Sequence, residues 1–175
     1  MSFDELVHVL RAAAVIANET TLVDVGSQAD LLHFPNAGAD LCVSREVDLY
    51  PSMHPERANL IDGAIGAWSR FDETFGCHAD GVGPETAVLP ADWTNRALFT
   101  HIGELTAICP DMHDLAVSKT VAGRDKDADY VSVLLREKMI DIDTLRARIA
   151  LLDATQYPVA SVLTWANRRA LEATP

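Results

Sequence analysis

The chain has 175 residues, 49% hydrophobic and 23% charged, with a formal net charge of −12. That is enough for one domain to bury its own core, and the ordinary composition excludes a disordered protein. The acidity excludes unspecific attraction to nucleic-acid backbones, which needs clustered Lys and Arg, and no apolar run is long enough to span a membrane.

Three widely spaced cysteines, Cys42, Cys77 and Cys109, form no CxxC pair, so neither a disulfide framework nor a zinc ribbon is expected, only buried free thiols. The start of the chain is neither a basic leader nor an apolar signal, and a cytoplasmic protein is expected. From the amino end, Ser2 and Glu5 have capping-box spacing, and Phe3, Leu6, Val7, Leu10, Ala13 and Ala14 recur at helical intervals. They predict a helix to about Asn18 that covers a sheet. Residues 21–25 (TLVDV) read as a first strand ending in a tight turn at Gly26, followed by a short helix over 28–34. Residues 41–50 (LCVSREVDLY) read as a second strand or bent hairpin stopped by Pro51, and 55–71 as a crossover helix with Pro55 in its first turn.

Extended pieces are expected over 74–82, 86–89 and 105–109. Beyond Met112 the pattern turns helical: 115–138, 143–153 with Asp143 as cap, and 158–172. Sheet elements first and helices later define an α+β protein. Residues 1–112 form the core, and 113–175 a helical part of the same domain. Trp68, Trp93 and Trp165 are expected to anchor the core.

Two segments carry chemistry when taken together, VGSQAD at 25–30 and SREVDLYP at 44–51. A Gly26-Ser27 turn between strand and helix offers backbone N–H groups and a hydroxyl to a phosphate. Its plain alternative is a turn where Gly26 supplies unusual dihedrals and Ser27 caps the helix. Glu46 and Asp48 flank Val47, so on a strand both carboxylates share one face and repel unless a hard cation such as Mg2+ binds both. The plain alternative there is a solvated strand face. His78, His101 and His113 lack tight metal spacing, which disfavours zinc hydrolysis.

The order of Gly-Ser turn, helix and acid-apolar-acid strand resembles the DNA polymerase beta-like nucleotidyltransferase superfamily. The run at 109–135 (CPDMHDLAVSKTVAGRDKDADYVSVLL) is similar to that of the DUF6036 branch of minimal nucleotidyltransferases, relatives of the AbiEii toxin group. Its Asp-Leu-Ala, Ser-Lys, Ala-Gly-Arg and Lys-Asp elements stand at Asp114 to Ala116, Ser118 and Lys119, Ala122 to Arg124, and Lys126 with Asp127. The stretch 81–90 (GVGPETAVLP) is similar to such proteins too.

The resemblance implies a small mixed sheet flanked by helices, a nucleoside triphosphate substrate, and Mg2+ (or Mn2+) held by Glu46 and Asp48. Glu46 stands where Asp is usual. A third metal carboxylate is common in active members, and Asp80 is the best-positioned candidate. Lys119, Gly123 and Lys126 at i, i+4, i+7 are expected on one helical face, where Lys119 and Lys126 reach phosphates and Lys119 offsets charge developing in transfer. Their plain alternative is a solvated face with Arg124 and Asp127 in surface ion pairs.

Three readings follow. The first is an enzyme passing a nucleotide to an acceptor such as RNA, tRNA, a protein or a small molecule; kinship to toxins suggests a toxin-antitoxin or defence setting. The second is a binding module that has lost turnover. The third is a subunit of a homo-oligomer or partner complex, with Val159, Val162, Leu163 and Trp165 in the interface.

Overall fold

Ser2 caps the first helix, α1 (Phe3–Ala17), in the full reciprocal box: its hydroxyl accepts the Glu5 N–H, while the Glu5 carboxylate accepts the Ser2 N–H. Leu6, Val9, Leu10 and Ala13 bury one stripe of this helix completely, as its 3.6-residue period requires. The computed structural model describes residues 1–36, 38 and 44–173. Expectations for residues 41–43 of the second strand, and for Cys42, fall outside that range.

The chain divides into two units, Met1–Thr86 with Ala97–Pro110, and Ala87–Arg96 with Asp111–Pro175. In the first, β1 (Thr21–Asp24), β2 (Glu46–Pro51), β3 (His78–Gly81), β4 (Leu98–Ile102) and β5 (Leu105–Cys109) form one sheet in the order β3-β2-β1-β5-β4. β1 runs antiparallel to β2 and parallel to β5, β2 runs parallel to β3, and β4 pairs antiparallel with β5. This is the mixed α+β architecture the sequence predicts.

On β2, Val47 and Leu49 are fully buried while Glu46 and Asp48 are half-buried, the alternation of a strand with one face on the core. α1 packs against β1, β2, β3 and β5, and α3 (Ala58–Ile65) against β2 and β3.

Several expected elements divide. The helix read over 55–71 is a 3-10 turn at Pro55–Arg57, then α3, then a separate α4 (Arg70–Phe75). Gly66 ends α3 in extended backbone, and the Ser69 hydroxyl caps α4 by accepting the Asp72 N–H. Trp68 lies in that connection with φ 65° and 92% exposure, so it anchors no core. Trp93 and Trp165 are half-buried.

The helix read over 28–34 is a 3-10 turn at Ser27–Ala29 running into α2 (Asp30–His33). Residues 86–89 form no strand; Pro84–Thr86 is a 3-10 turn. β4, which the sequence reading passed over, pairs with β5 across a turn where Gly103 takes φ 70°.

The second unit holds α5 (Met112–Ala122), α6 (Asp125–Arg136), α7 (Ile142–Ile149) and α8 (Val159–Ala173). Leu115, Val131, Leu134, Leu145, Ile149, Val162 and Ala166 form its core, so Val162 serves the unit's own interior. The helix expected over 115–138 breaks at Gly123, whose φ of 62° turns the chain left-handed as its N–H closes on the Lys119 carbonyl. Lys119 and Lys126 therefore stand on different helices and share no helical face. α7 is capped by Asp141, whose carboxylate accepts the Thr144 N–H, and not by Asp143.

Fully buried Asp114 binds the Arg96 guanidinium through both oxygens, at 3.0 and 3.1 Å, with Arg148 3.5 Å away. The bond to Asp114 ties segment Ala87–Arg96 to α5, and Arg96 also reaches Asp92 within the segment.

Candidate functional site

The β2/β3 register assembles the site. Parallel pairing aligns Glu46 with His78 and Asp48 with Asp80, and paired residues on neighbouring strands project to the same face. Three of the four converge: Glu46, His78 and Asp80 each offer a ligand atom within 4.8 Å of the others. Asp48 stands outside that trio and is turned toward the β1 end.

A Cβ on Gly26 would meet the Asp48 Oδ2 at 2.8 Å and the Asp48 backbone nitrogen at 3.0 Å. The Gly26-Ser27 turn and the acid strand are therefore in contact, as the sequence reading requires. The glycine is needed for space and not for dihedral freedom, because its φ of −78° is open to any residue.

Two details of that turn differ from expectation. The Gly26 N–H donates to the Oδ1 of fully buried Asp24 at 3.0 Å, so it is committed to the protein. Gly26 takes the N-cap position and Ser27 is the first residue of the 3-10 turn, so Ser27 is not the cap that the plain reading makes it. Cys109 pins the turn onto β5, its thiol donating to the Ala29 carbonyl at 3.5 Å. Cys109 and Cys77 are buried free thiols, and burial pushes the Cys77 thiol up, as befits an inert one.

Electrostatically the trio is an acid pair moderated by an imidazole. Burial pushes the Asp80 carboxyl above the ordinary aspartate range; His78 draws it down, and Glu46 and Asp62 push it up again. Three carboxylates and an imidazole on one sheet face suit a divalent cation, whose charge relieves such repulsion.

His78 was passed over because its sequence neighbours hold no ligand pair; the acid at its side comes from β2, 32 residues earlier. The usable signal was its place two residues before Asp80, on a strand that repeats the spacing of Glu46 and Asp48.

Lys119 and Lys126 belong to the helical unit. There the Lys119 ammonium sits 5.9 Å from the centre of the Tyr130 ring, a cation-π contact. Arg124 and Asp127 form an ion pair with Nε to Oδ2 at 2.7 Å, but Asp127 is buried, so this is not the surface pair of the plain reading. Among the described residues, no helix is long and apolar enough to cross a membrane.

A mixed sheet with a glycine turn against one strand acid, a second acid on the same strand and a third on the adjoining strand is the arrangement the sequence led us to expect of a nucleotidyltransferase. The chain belongs to the DUF6036 family, described as nucleotidyltransferases of unknown function, whose model matches residues 5–169. No curated protein and no solved structure matches it.

Proposed function

We propose that the chain is a divalent-metal-dependent nucleotidyltransferase that moves a nucleotide from a nucleoside triphosphate to an acceptor hydroxyl. The observation that carries this reading is the register of β2 and β3, which sets Asp80 beside Glu46 and Asp48 opposite it, on the strand that touches the Gly26-Ser27 turn.

Glu46 and Asp80 would hold the cation, Mg2+ or Mn2+, with Asp48 joining them from the side of the Gly26-Ser27 turn; when bound, the ion neutralises phosphate charge and orients the triphosphate. Gly26 lets the chain approach the phosphates closely, and the Ser27 hydroxyl and backbone receive them. The acceptor oxygen forms a bond to the α-phosphorus, the bond to pyrophosphate breaks, and the hydroxyl proton passes to Asp80, whose raised affinity for a proton suits that role. The position of Asp80 supports an enzyme over a binding module, since a third acid supplies the general base that transfer needs.

The test is incubation of each labelled nucleoside triphosphate with cell extract and Mg2+ or Mn2+, comparing the wild-type chain with Asp48→Ala. A labelled product that depends on Asp48 is expected. A product pattern identical with the variant, or no product with any nucleotide, would sink the enzyme reading.

A further inference from the structure

His78 is held as metal-bound histidines are held. Its Nδ1 lies 3.4 Å from the Asp72 Oδ1, and its Nε2 lies 3.6 Å from the Asp80 Oδ1, inside the trio with Glu46. Asp72 is itself fixed: its Oδ2 accepts the Trp68 N–H at 3.1 Å, its own N–H donates to the Ser69 hydroxyl at 3.2 Å, and Arg45 stands 3.5 Å from its Oδ1.

A carboxylate on one ring nitrogen claims the proton there and leaves a lone pair on the other, the usual support behind a ligating imidazole. Here the other nitrogen, Nε2, is the one on the Asp80 side. The competing reading is an imidazolium shared between two aspartates. Charge-assisted hydrogen bonds of that kind run at about 2.7–2.9 Å, shorter than both separations. Donors bound to one ion at about 2.1 Å stand roughly 3 to 3.5 Å apart, much closer to the observed spacing.

Resting on the reading of Glu46 and Asp80 as metal ligands, we propose that His78 Nε2 is a further ligand of the same ion. A nitrogen donor discriminates against Mg2+, which takes oxygen ligands in near-ideal octahedra, and favours transition ions that accept imidazole. Relative to Mg2+ the site is thereby turned toward first-row transition ions, of which Mn2+ is the paramagnetic probe, with Asp72 as the positioning residue that aims the ring.

The experiment uses the full chain with Mn2+ alone and Mg2+ alone in calorimetric titration, together with pulsed electron paramagnetic resonance of bound Mn2+. We expect Mn2+ to bind at least about tenfold tighter than Mg2+, and the Mn2+ spectrum to carry a histidine nitrogen coupling. His78→Gln should abolish the coupling and erase the preference, and Asp72→Asn should weaken Mn2+ binding about 10- to 100-fold.

Mn2+ that binds without nitrogen coupling, and is lost on Glu46→Gln or Asp80→Asn but not on His78→Gln, overturns the role of His78 and leaves the metal site standing. Absence of Mn2+ binding, or binding indifferent to Glu46→Gln and Asp80→Asn, overturns the metal site and His78 with it. Circular dichroism checks that each variant folds; should His78→Gln fail to fold, the wild-type spectrum and Asp72→Asn decide.

Discussion

The two units spend their acids differently. In the helical unit, buried Asp114 lies between the guanidinium groups of Arg96 and Arg148, and Asp127 is clasped by Arg124. In the sheet unit, Asp80 is set beside Glu46, with one imidazole between them and a third acid, Asp48, in register on the next strand. Acid against arginine answers a structural need, because a buried carboxylate without a partner is costly. Acid against acid costs repulsion, which a bound cation of the kind proposed would relieve. The same residue type thus stabilises one unit and equips the other.

The largest effect should come from dismantling the acid cluster. Glu46→Gln or Asp80→Asn should abolish Mn2+ binding in calorimetry while leaving the thermal midpoint unchanged or raised, since repulsion is relieved. A variant that unfolds instead would put these acids in the structural class. Next, Arg96→Met should cost about 3 kcal/mol in urea unfolding by stripping Asp114 of its bidentate partner; a change below about 0.5 kcal/mol would erase the contrast between the units.

Gly26→Ala forces a methyl against the Asp48 backbone and should cost about 1–3 kcal/mol. It should also reduce labelled-nucleotide transfer by displacing Asp48.

The smallest effect concerns the cap of α7. Asp141→Ala should cost about 1 kcal/mol, whereas Asp143→Ala, which removes only an exposed pair with Arg146, should stay within about 0.5 kcal/mol. The Thr144 N–H holds the Asp141 carboxyl below the ordinary range. Its contribution is therefore present above the unfolded pKa and is lost as pH falls through the lower folded value. Urea midpoints of wild type and Asp141→Ala should accordingly converge in acid.

Local signals were legible in the sequence wherever chain neighbours supplied them. The Ser2/Glu5 box, β1 and β5 follow from spacing and β-branched composition, and the acid-apolar-acid alternation of β2 places Glu46 and Asp48 on one face. The break at Gly123 was hidden because motif periodicity ran through it, although a single left-handed residue is enough to start a new helix. His78 is set aside in the sequence for want of a ligand spacing, because pairing between strands, not spacing along one, brings it to Glu46. For Gly26 the plain alternative of unusual dihedrals fails at a φ of −78°, and the structure gives the reason for a glycine there as the width of Asp48.

Trp68 is the tryptophan of the sheet unit, since Trp93 and Trp165 both lie in the helical one. Its indole is 92% exposed, yet its backbone N–H holds the aspartate that faces His78. With Trp93 and Trp165 replaced by phenylalanine, its emission would become a fluorescent gauge wired by one peptide N–H to the proposed metal cluster. Paramagnetic quenching of that glow would let ion arrival be timed in a stopped-flow cell without any added dye.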